Sequence, residues 1–254
     1  MTVNYKTFLI NLDKSTDRLA YSEKRLTEHN IAFERVAAVY GADLSRQELT
    51  QAYSDQLPNA YYKKLNIGEI GCYLSHRKVW QKIVDDKLDF AVVLEDDFNI
   101  VDDFSAMLAA VSSAPITWDY IKLAEHDRPR KSLHTIDINN HKLITYDKIP
   151  ARTCAQVVSY EGAKKLLAAS QPFSRPVDID LQYWWEKDIR VFGLMPYVFR
   201  PKTDSVSEID KLKGRDDAEK NDLRRLISQV KFFAHNKFAS KALVKALKFE
   251  VSKL

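Results

Sequence analysis

Lys6 to Leu12 (KTFLINL) is a nearly continuous apolar run, the pattern of a strand buried on both faces. A helical stretch follows, with Ser15 or Thr16 as its N-cap and Asn30 at its stop. Phe33 to Val36 reads as a second short strand, and Ala37 to Asp43, which contains Gly41, as a loop. Ser45-x-x-Glu48 is a capping box that opens another helix. Gly68 to Val84 has helical periodicity, with Ile70, Tyr73, Leu74, Trp80, Ile83 and Val84 roughly on one face. Phe90 to Leu94 (FAVVL) is the second strong buried-strand signal. Asp102 or Asp103 then caps a helix carrying Phe104, Met107, Leu108 and Val111, and Tyr120 to Ala124 is a further strand. Strand and helix therefore alternate through the first 125 residues, which predicts an α/β fold on a mostly parallel sheet.

The pattern is weaker afterwards. Glu125 to Ile149 is polar and mixed, compatible with antiparallel strands. Ala155 to Ser159 reads as a strand, Glu161 to Ala169 and Asp178 to Lys187 as helices, and Arg190 to Leu194 and Tyr197 to Phe199 as short strands. Lys202 to Asp222 is charged and poor in apolar residues, hence a loop or linker. A pair of helices runs from there to the C-terminus. The expected organisation is a catalytic domain over 1–220 and a basic amphipathic helical tail over 221–254.

Composition narrows the class. The 254 residues are 45% hydrophobic and 29% charged, ordinary for a soluble globular chain. No run of 18 apolar residues is present, so no membrane span is predicted. Met1 leads straight into the first strand with no apolar signal segment, which argues against secretion. Two cysteines, Cys72 and Cys154, exclude a disulfide scaffold and read as buried free thiols in a reducing compartment. The net charge of +4 is uneven: residues 221–254 carry a net +6, leaving −2 on the rest. A basic tail on a slightly acidic body argues against nucleic acid as a partner and for a tail with a partner of its own.

The sharpest chemical feature is Glu95-Asp96-Asp97, directly after the FAVVL strand. Ligands of open α/β sheets bind outside the carboxyl ends of strands. Along an extended backbone Glu95 and Asp97 point one way and Asp96 the other. Two oxygen ligands from one face suit Mn²⁺ or Mg²⁺, which complete their shells with water and substrate phosphates. The alternative is a solvated acidic cluster or a helix cap, but three adjacent carboxylates repel one another without a cation.

Phe8-Leu-Ile-Asn-Leu-Asp-Lys-Ser-Thr-Asp-Arg18 resembles the opening motif of glycosyltransferase family 25, enzymes of bacterial lipooligosaccharide synthesis. Asn66-Ile-Gly-Glu-Ile-Gly-Cys-Tyr-Leu-Ser-His76 with Trp80 resembles its second motif, and Val93-Leu-Glu-Asp-Asp97 its third. Ser159 to Leu167 and Arg175-Pro-Val-Asp-Ile-Asp180 resemble later blocks. The five blocks stand in the family's order between about residues 5 and 210. The resemblance implies a GT-A type nucleotide-sugar fold, a divalent metal, and galactosyl transfer from UDP-galactose with inversion to a lipooligosaccharide acceptor. The expected location is cytoplasmic, peripheral on the inner membrane of a Gram-negative bacterium, with the basic tail as the anchor.

Carried over residue by residue, Glu95-x-Asp97 resembles the DXD motif: Asp97 binds the metal, and Glu95 or Asp96 touches the ribose or the metal shell. Asn11 and Arg18 are candidates for the uracil, ribose or diphosphate, or else a loop Asn and a helix-surface Arg. The segment Ala38 to Gly41, Val39 included, either packs on the base or forms an ordinary turn. Gly68 and Gly71 allow close approach of a ligand to a helix N-terminus, which favours anions. Ser75 and His76 follow one turn later; a lone helical histidine is more often structural, and only the resemblance makes His76 a donor-site residue. Inverting transfer needs a base for the acceptor hydroxyl, and Asp178 and Asp180 are the candidates, Asp178 alternatively an N-cap. Tyr183, Trp184 and Trp185 offer rings for an acceptor sugar, but three consecutive helical positions cannot share a face, so at least one belongs to the core. The sequence does not identify a third metal ligand; Ser205, Ser207 or water are candidates to complete the shell.

In the tail, Leu223, Leu226, Ile227, Val230 and Ala234, then Leu243, Val244, Leu247, Val251 and Leu254, follow helical spacing, with Lys237, Lys241, Lys245 and Lys248 largely off the stripe. A basic amphipathic helix of this kind lies in an anionic membrane surface; alternatively the first helix packs on the domain and only the second is free. Two other classes compete with a glycosyltransferase. One is a nucleotidyltransferase, against which the absence of glycine from Phe8–Arg18 counts. The other is a non-catalytic membrane-associated binding protein.

Overall fold

The computed structural model describes residues 3–125, 130–202 and 222–253. Three strands sit at the heart of the first half: β1 (Tyr5–Asn11), β2 (Glu34–Ala37) and β3 (Phe90–Glu95), parallel, with β1 in the middle. Their side chains alternate between two cores. Leu9, Val92 and Leu94 join Leu26 of α1 (Thr16–Glu28) and Met107 of α4 (Phe104–Ser112) on one face. Phe8, Ile10, Ala91 and Val93 meet α3 (Ile67–Asp85), α5 (Tyr160–Ala168) and α6 (Val177–Gln182) on the other. Burial on both faces is why these strands read as continuous apolar runs.

Five more strands complete the sheet: β5 (Tyr120–Lys122), β6 (Ser132–Ile138), β7 (His141–Tyr146), β8 (Ala155–Ser159) and β9 (Val191–Met195). The order is β2-β1-β3-β8-β5-β9-β7-β6. The α/β class holds, but beyond β3 the sheet is mixed. β8 runs antiparallel to both β3 and β5, and the β6–β7 hairpin forms the edge. That hairpin occupies the polar stretch whose pattern allowed antiparallel strands, and it turns through Asn139 at φ 53°. A small separate ribbon pairs β4 (Phe98–Ile100) with β10 (Phe199–Pro201).

Local capping follows the sequence closely. Asn30 stops α1 in the left-handed region at φ 54°, where Asn is tolerated. Ser45 and Glu48 form the capping box of α2 (Arg46–Ala52), and Asp103 caps α4 through the N–H groups of Ser105 and Ala106. A capping box not read from the sequence, Asn66 with Glu69, opens α3. The 178–187 stretch divides into α6 and a short 3₁₀ turn, Trp184–Lys187, closed by Asp188 at φ 50°.

The C-terminal pair of helices is instead a single helix of 30 residues, α7 (Asp222–Val251). No Gly or Pro occurs between 222 and 254 to interrupt it. Phe232, Asn236, Ser240 and Leu247, spaced at helical intervals, are buried against the domain, with Leu243 packed beside them. Asn236 Nδ2 donates to the Asp147 carbonyl at 2.5 Å, and Arg190 pairs with Glu250. The stripe holding Leu243 and Leu247 therefore faces the domain from Phe232 onward, so the second half of the helix is not free, whereas Leu226, Ile227, Val230 and Ala234 of the expected first stripe are exposed. The side chains of Leu223 and Leu254, Ser205, Ser207 and residues 203–221 of the expected linker lie outside the described residues. Among the described residues, no helix is long and apolar enough to cross a membrane.

Candidate active site

The carboxyl ends of β1, β2 and β3 meet at one edge of the sheet, and the segments that leave them line a common cleft. Asn11 ends β1 and is buried. Its Nδ2 donates to Asp96 Oδ2 at 2.7 Å and to the Ser15 carbonyl at 3.1 Å. Arg18, in the first turn of α1, pairs with the other oxygen of Asp96. Burial pushes the Asp96 carboxyl up, with Arg18 and Asn11 opposing. Asp96 is thus the anchor of Asn11 and Arg18, and the three form one network.

Glu95 is engaged differently. Its Oε1 accepts from Thr153 Oγ1 at 2.5 Å and meets His76 Nε2 at 2.8 Å. Burial acts to raise its pKa, but the bond and charge of His76, with Thr153 and Arg18, hold it below the ordinary value. Asp97 has no comparable partner. Its Oδ1 is buried without a hydrogen bond among the described residues, and burial together with the charge of Glu95 pushes its carboxyl up to about 6. Arg18 Nε is likewise buried and unpaired. One buried carboxylate oxygen without a donor, beside a second carboxylate, fits a hard divalent cation. Cys72, His76 and Glu95 also converge, with ligand atoms within 4.8 Å of one another. That softer set suits zinc more than Mn²⁺ or Mg²⁺.

The loop after β2 is braced against α3. Val39 N donates to Ser75 Oγ at 2.8 Å, and Ser75 Oγ donates to the Gly71 carbonyl at 2.7 Å. The approach is so close that a Cβ on Gly41 would lie 1.8 Å from the Ile67 carbonyl oxygen, and one on Gly71 2.6 Å from that of Val39. Gly41 and Gly71 are needed for this contact. Ala38, Val39, Gly41, Gly68, Ser75 and His76 line the cleft; Gly71 lies behind it. The sequence reading missed Lys14 and Cys72 as lining residues; Lys14 Nζ stands 3.8 Å from the ring centre of Tyr40, which lies within the 38–41 segment and also lines the cleft. Tyr40, an aromatic in that segment, is the signal that could have found Lys14.

The two candidate bases separate. Asp180 is buried and saturated: Oδ2 accepts from Tyr73 Oη at 2.7 Å and Lys187 Nζ at 3.0 Å, and Oδ1 from Arg175 at 3.1 Å. Asp178 is half-buried in the first turn of α6, whose N-cap is Pro176. It accepts from its neighbour Ile179 N and from Arg152 N. Its charge acts on Cys72 of the cleft and on Tyr61, Tyr120 and Lys122. Lys122, whose pKa burial lowers to about 8, holds the carbonyls of Pro150 and Arg152. Arg152 sits at φ 69°, so this buried lysine fixes the turn that presents Arg152 N to Asp178 and Thr153 to Glu95. Neither Lys122, Arg152 nor Thr153 carries a motif that would reveal it.

Residues 4–181 match glycosyltransferase family 25 (LPS biosynthesis protein), and the chain belongs to that family. It is 29% identical over 223 residues to procollagen galactosyltransferase 1 of Danio rerio, covering 77% of this chain and 36% of the relative. It is 28% identical over 217 residues to procollagen galactosyltransferase 2 of Homo sapiens, covering 76% and 34%. A third relative, inactive glycosyltransferase 25 family member 3 of Mus musculus, is 29% identical over 263 residues, covering 89% and 42%. The chain thus spans well under half the length of these relatives.

Proposed function

We propose that the protein is an inverting, metal-dependent galactosyltransferase of GT-A type that moves galactose from UDP-galactose to a sugar hydroxyl of lipooligosaccharide. The observation that carries this reading is the unpaired buried oxygen of Asp97 beside Glu95, where the ends of β1, β2 and β3 meet. Family membership supports glycosyl transfer, and the galactosyltransferases among the relatives support the sugar.

In this reading Ala38, Val39 and Tyr40 pack on the uracil, and Asn11 and Arg18 address the ribose and diphosphate. Asp97, with Glu95, holds Mn²⁺ or Mg²⁺, which supplies charge neutralisation to the departing diphosphate. Asp178 takes the acceptor hydroxyl proton as that oxygen attacks the anomeric carbon from the face opposite the departing UDP. Two backbone N–H groups orient Asp178 for this, whereas Asp180 and its cations fix α6 beneath it. The outward face of α7 meets the anionic surface of the inner membrane that carries the acceptor, and the protein is cytoplasmic and peripheral there.

The test incubates the protein with UDP-galactose and Mn²⁺, with and without lipooligosaccharide. Acceptor-dependent UDP release with galactose incorporation is expected. Because one similar relative is described as inactive, turnover rather than nucleotide binding is decisive: binding without turnover, or no binding, overturns the proposal.

A further inference from the structure

A second cavity, of about 610 Å³, opens between the segment around residues 58–62, the α6–3₁₀ region and the first half of α7. That volume is in the range of small-molecule sites. Its walls are aromatic: Tyr61 and Tyr62 on one side, Tyr183, Trp185 and Phe232 on the other. Tyr183 and Trp185 each pack on Phe232, with ring centres 5.0 and 5.4 Å apart, and His235 lies parallel to Trp185 at 6.4 Å. Trp184 turns away, joins the core beside α3 and donates to Asn236. Two of the three consecutive rings thus face the groove.

The groove is also cationic. Lys148 stands 5.0 Å from the Phe232 ring centre and Arg225 5.3 Å from that of Tyr62, with Lys231 nearby. Among the described residues these three have no carboxylate partner within 4.0 Å. Glu186, the acid of the lining, is bound by Arg175. Lys148 is half-buried, and burial with repulsion from Arg130 lowers its pKa. Such a cation is stabilised by an arriving anion.

The groove adjoins the proposed base. Ile179, next to Asp178, lines it, and the charge of Asp178 reaches Tyr61 on the groove side and Cys72 on the cleft side. We infer that the groove is the acceptor subsite and takes an oligosaccharide bearing an anionic group, its sugar faces against Tyr183 and Trp185 and its carboxylate or phosphate against Lys148, Arg225 and Lys231. This rests on the galactosyltransferase reading for the word acceptor; the binding itself does not.

Saturation-transfer NMR and tryptophan fluorescence with the full chain separate the two. The probes are lactose (neutral), 3′-sialyllactose (carboxylate) and lactose 1-phosphate (phosphate), with UDP binding measured in parallel. At least one acidic probe is expected to bind more tightly than lactose, and the preferred one identifies the anion. Trp185→Ala is expected to weaken that binding about tenfold or more. Because Trp185 also packs against α7, the double variant Lys148→Gln/Arg225→Gln provides a second readout. It should abolish the preference for the acidic probe while UDP binding holds. Equal binding of all probes, no binding while UDP binds, or acidic binding that survives the double variant overturns the inference. Acidic binding in the groove without any UDP binding supports the groove and removes the donor reading instead.

Discussion

At the scale of single residues, three consecutive carboxylates have three different surroundings, and each surrounding implies its own consequence. Asp96 is held by Arg18 and Asn11, Glu95 by His76 and Thr153, and Asp97 is left with a bare oxygen. With its pKa raised to about 6 from an ordinary 3.8, Asp97 holds its proton more tightly in the folded than in the unfolded state. Stability of the metal-free protein therefore rises as pH falls through 6, and the ionised group costs up to about 3 kcal/mol above it. Asp97→Asn should raise the melting temperature of the metal-free protein at pH 8 and remove both the stabilisation by Mn²⁺ and transfer. An unchanged Mn²⁺ shift in this variant sinks the metal assignment. The two candidate bases separate by the same logic. Asp178→Asn should lower kcat about 10²–10⁴-fold with UDP-sugar affinity intact. Asp180→Asn should instead destabilise by about 3 kcal/mol, because it leaves Arg175 and Lys187 short of a buried counter-charge. Kinetics and thermal melts of the pair distinguish them, and the reverse pattern makes Asp180 the base. The carboxylates themselves were legible in the sequence because they follow a buried strand. Their partners were not: Thr153 is 58 residues from Glu95 and Asn11 is 85 from Asp96, and neither distance leaves a local pattern.

At the scale of elements, legibility tracked how completely an element is buried. β1 and β3 have helices on both faces and are unmistakable as apolar runs, whereas the edge strand β6 alternates exposed and buried residues over its second half and blends into polar sequence. α7 shows the limit most clearly. A single apolar stripe is the same signal whether it meets a domain or a bilayer, and only the structure places Leu247 in the core. The second half of α7 is therefore not a free helix that can be removed without cost. Cutting after Ala239 removes Leu243, Leu247 and the Glu250 partner of Arg190, so it should destabilise the domain rather than release a free anchor. Loss of Leu247 alone corresponds to about 2–5 kcal/mol on the scale of Leu→Ala substitutions in cores. A melting temperature unchanged by truncation would show that the docked half of α7 contributes nothing.

At the scale of the whole molecule, docking α7 leaves its other side to solvent, and the proposed membrane contact falls on that side. Ile227, Val230, Phe238 and Phe249 are exposed there, Phe238 at 79% and Phe249 at 61%. Lys241, Lys245 and Lys248 stand among them, also exposed. Large exposed aromatics beside lysines on a helix pinned to its domain suit shallow insertion of rings with the ammonium groups at the lipid headgroups. A rigid attachment of this kind would hold the cleft at a fixed height and angle to the bilayer, which a flexible tail would not do. Each lysine near an anionic surface adds about 1 kcal/mol, so Lys241→Glu/Lys245→Glu/Lys248→Glu should release the protein from liposomes rich in phosphatidylglycerol in a flotation assay. Phe238→Ser/Phe249→Ser should weaken binding to the same liposomes even at low salt, where the lysines act most strongly. None of these side chains is buried, so the melting temperature and transfer to a small soluble acceptor should stay as in the parent. Flotation that survives both variants would place the membrane contact elsewhere on the molecule, and a lowered melting temperature in the triple lysine variant would mean that this face contributes to folding rather than to attachment.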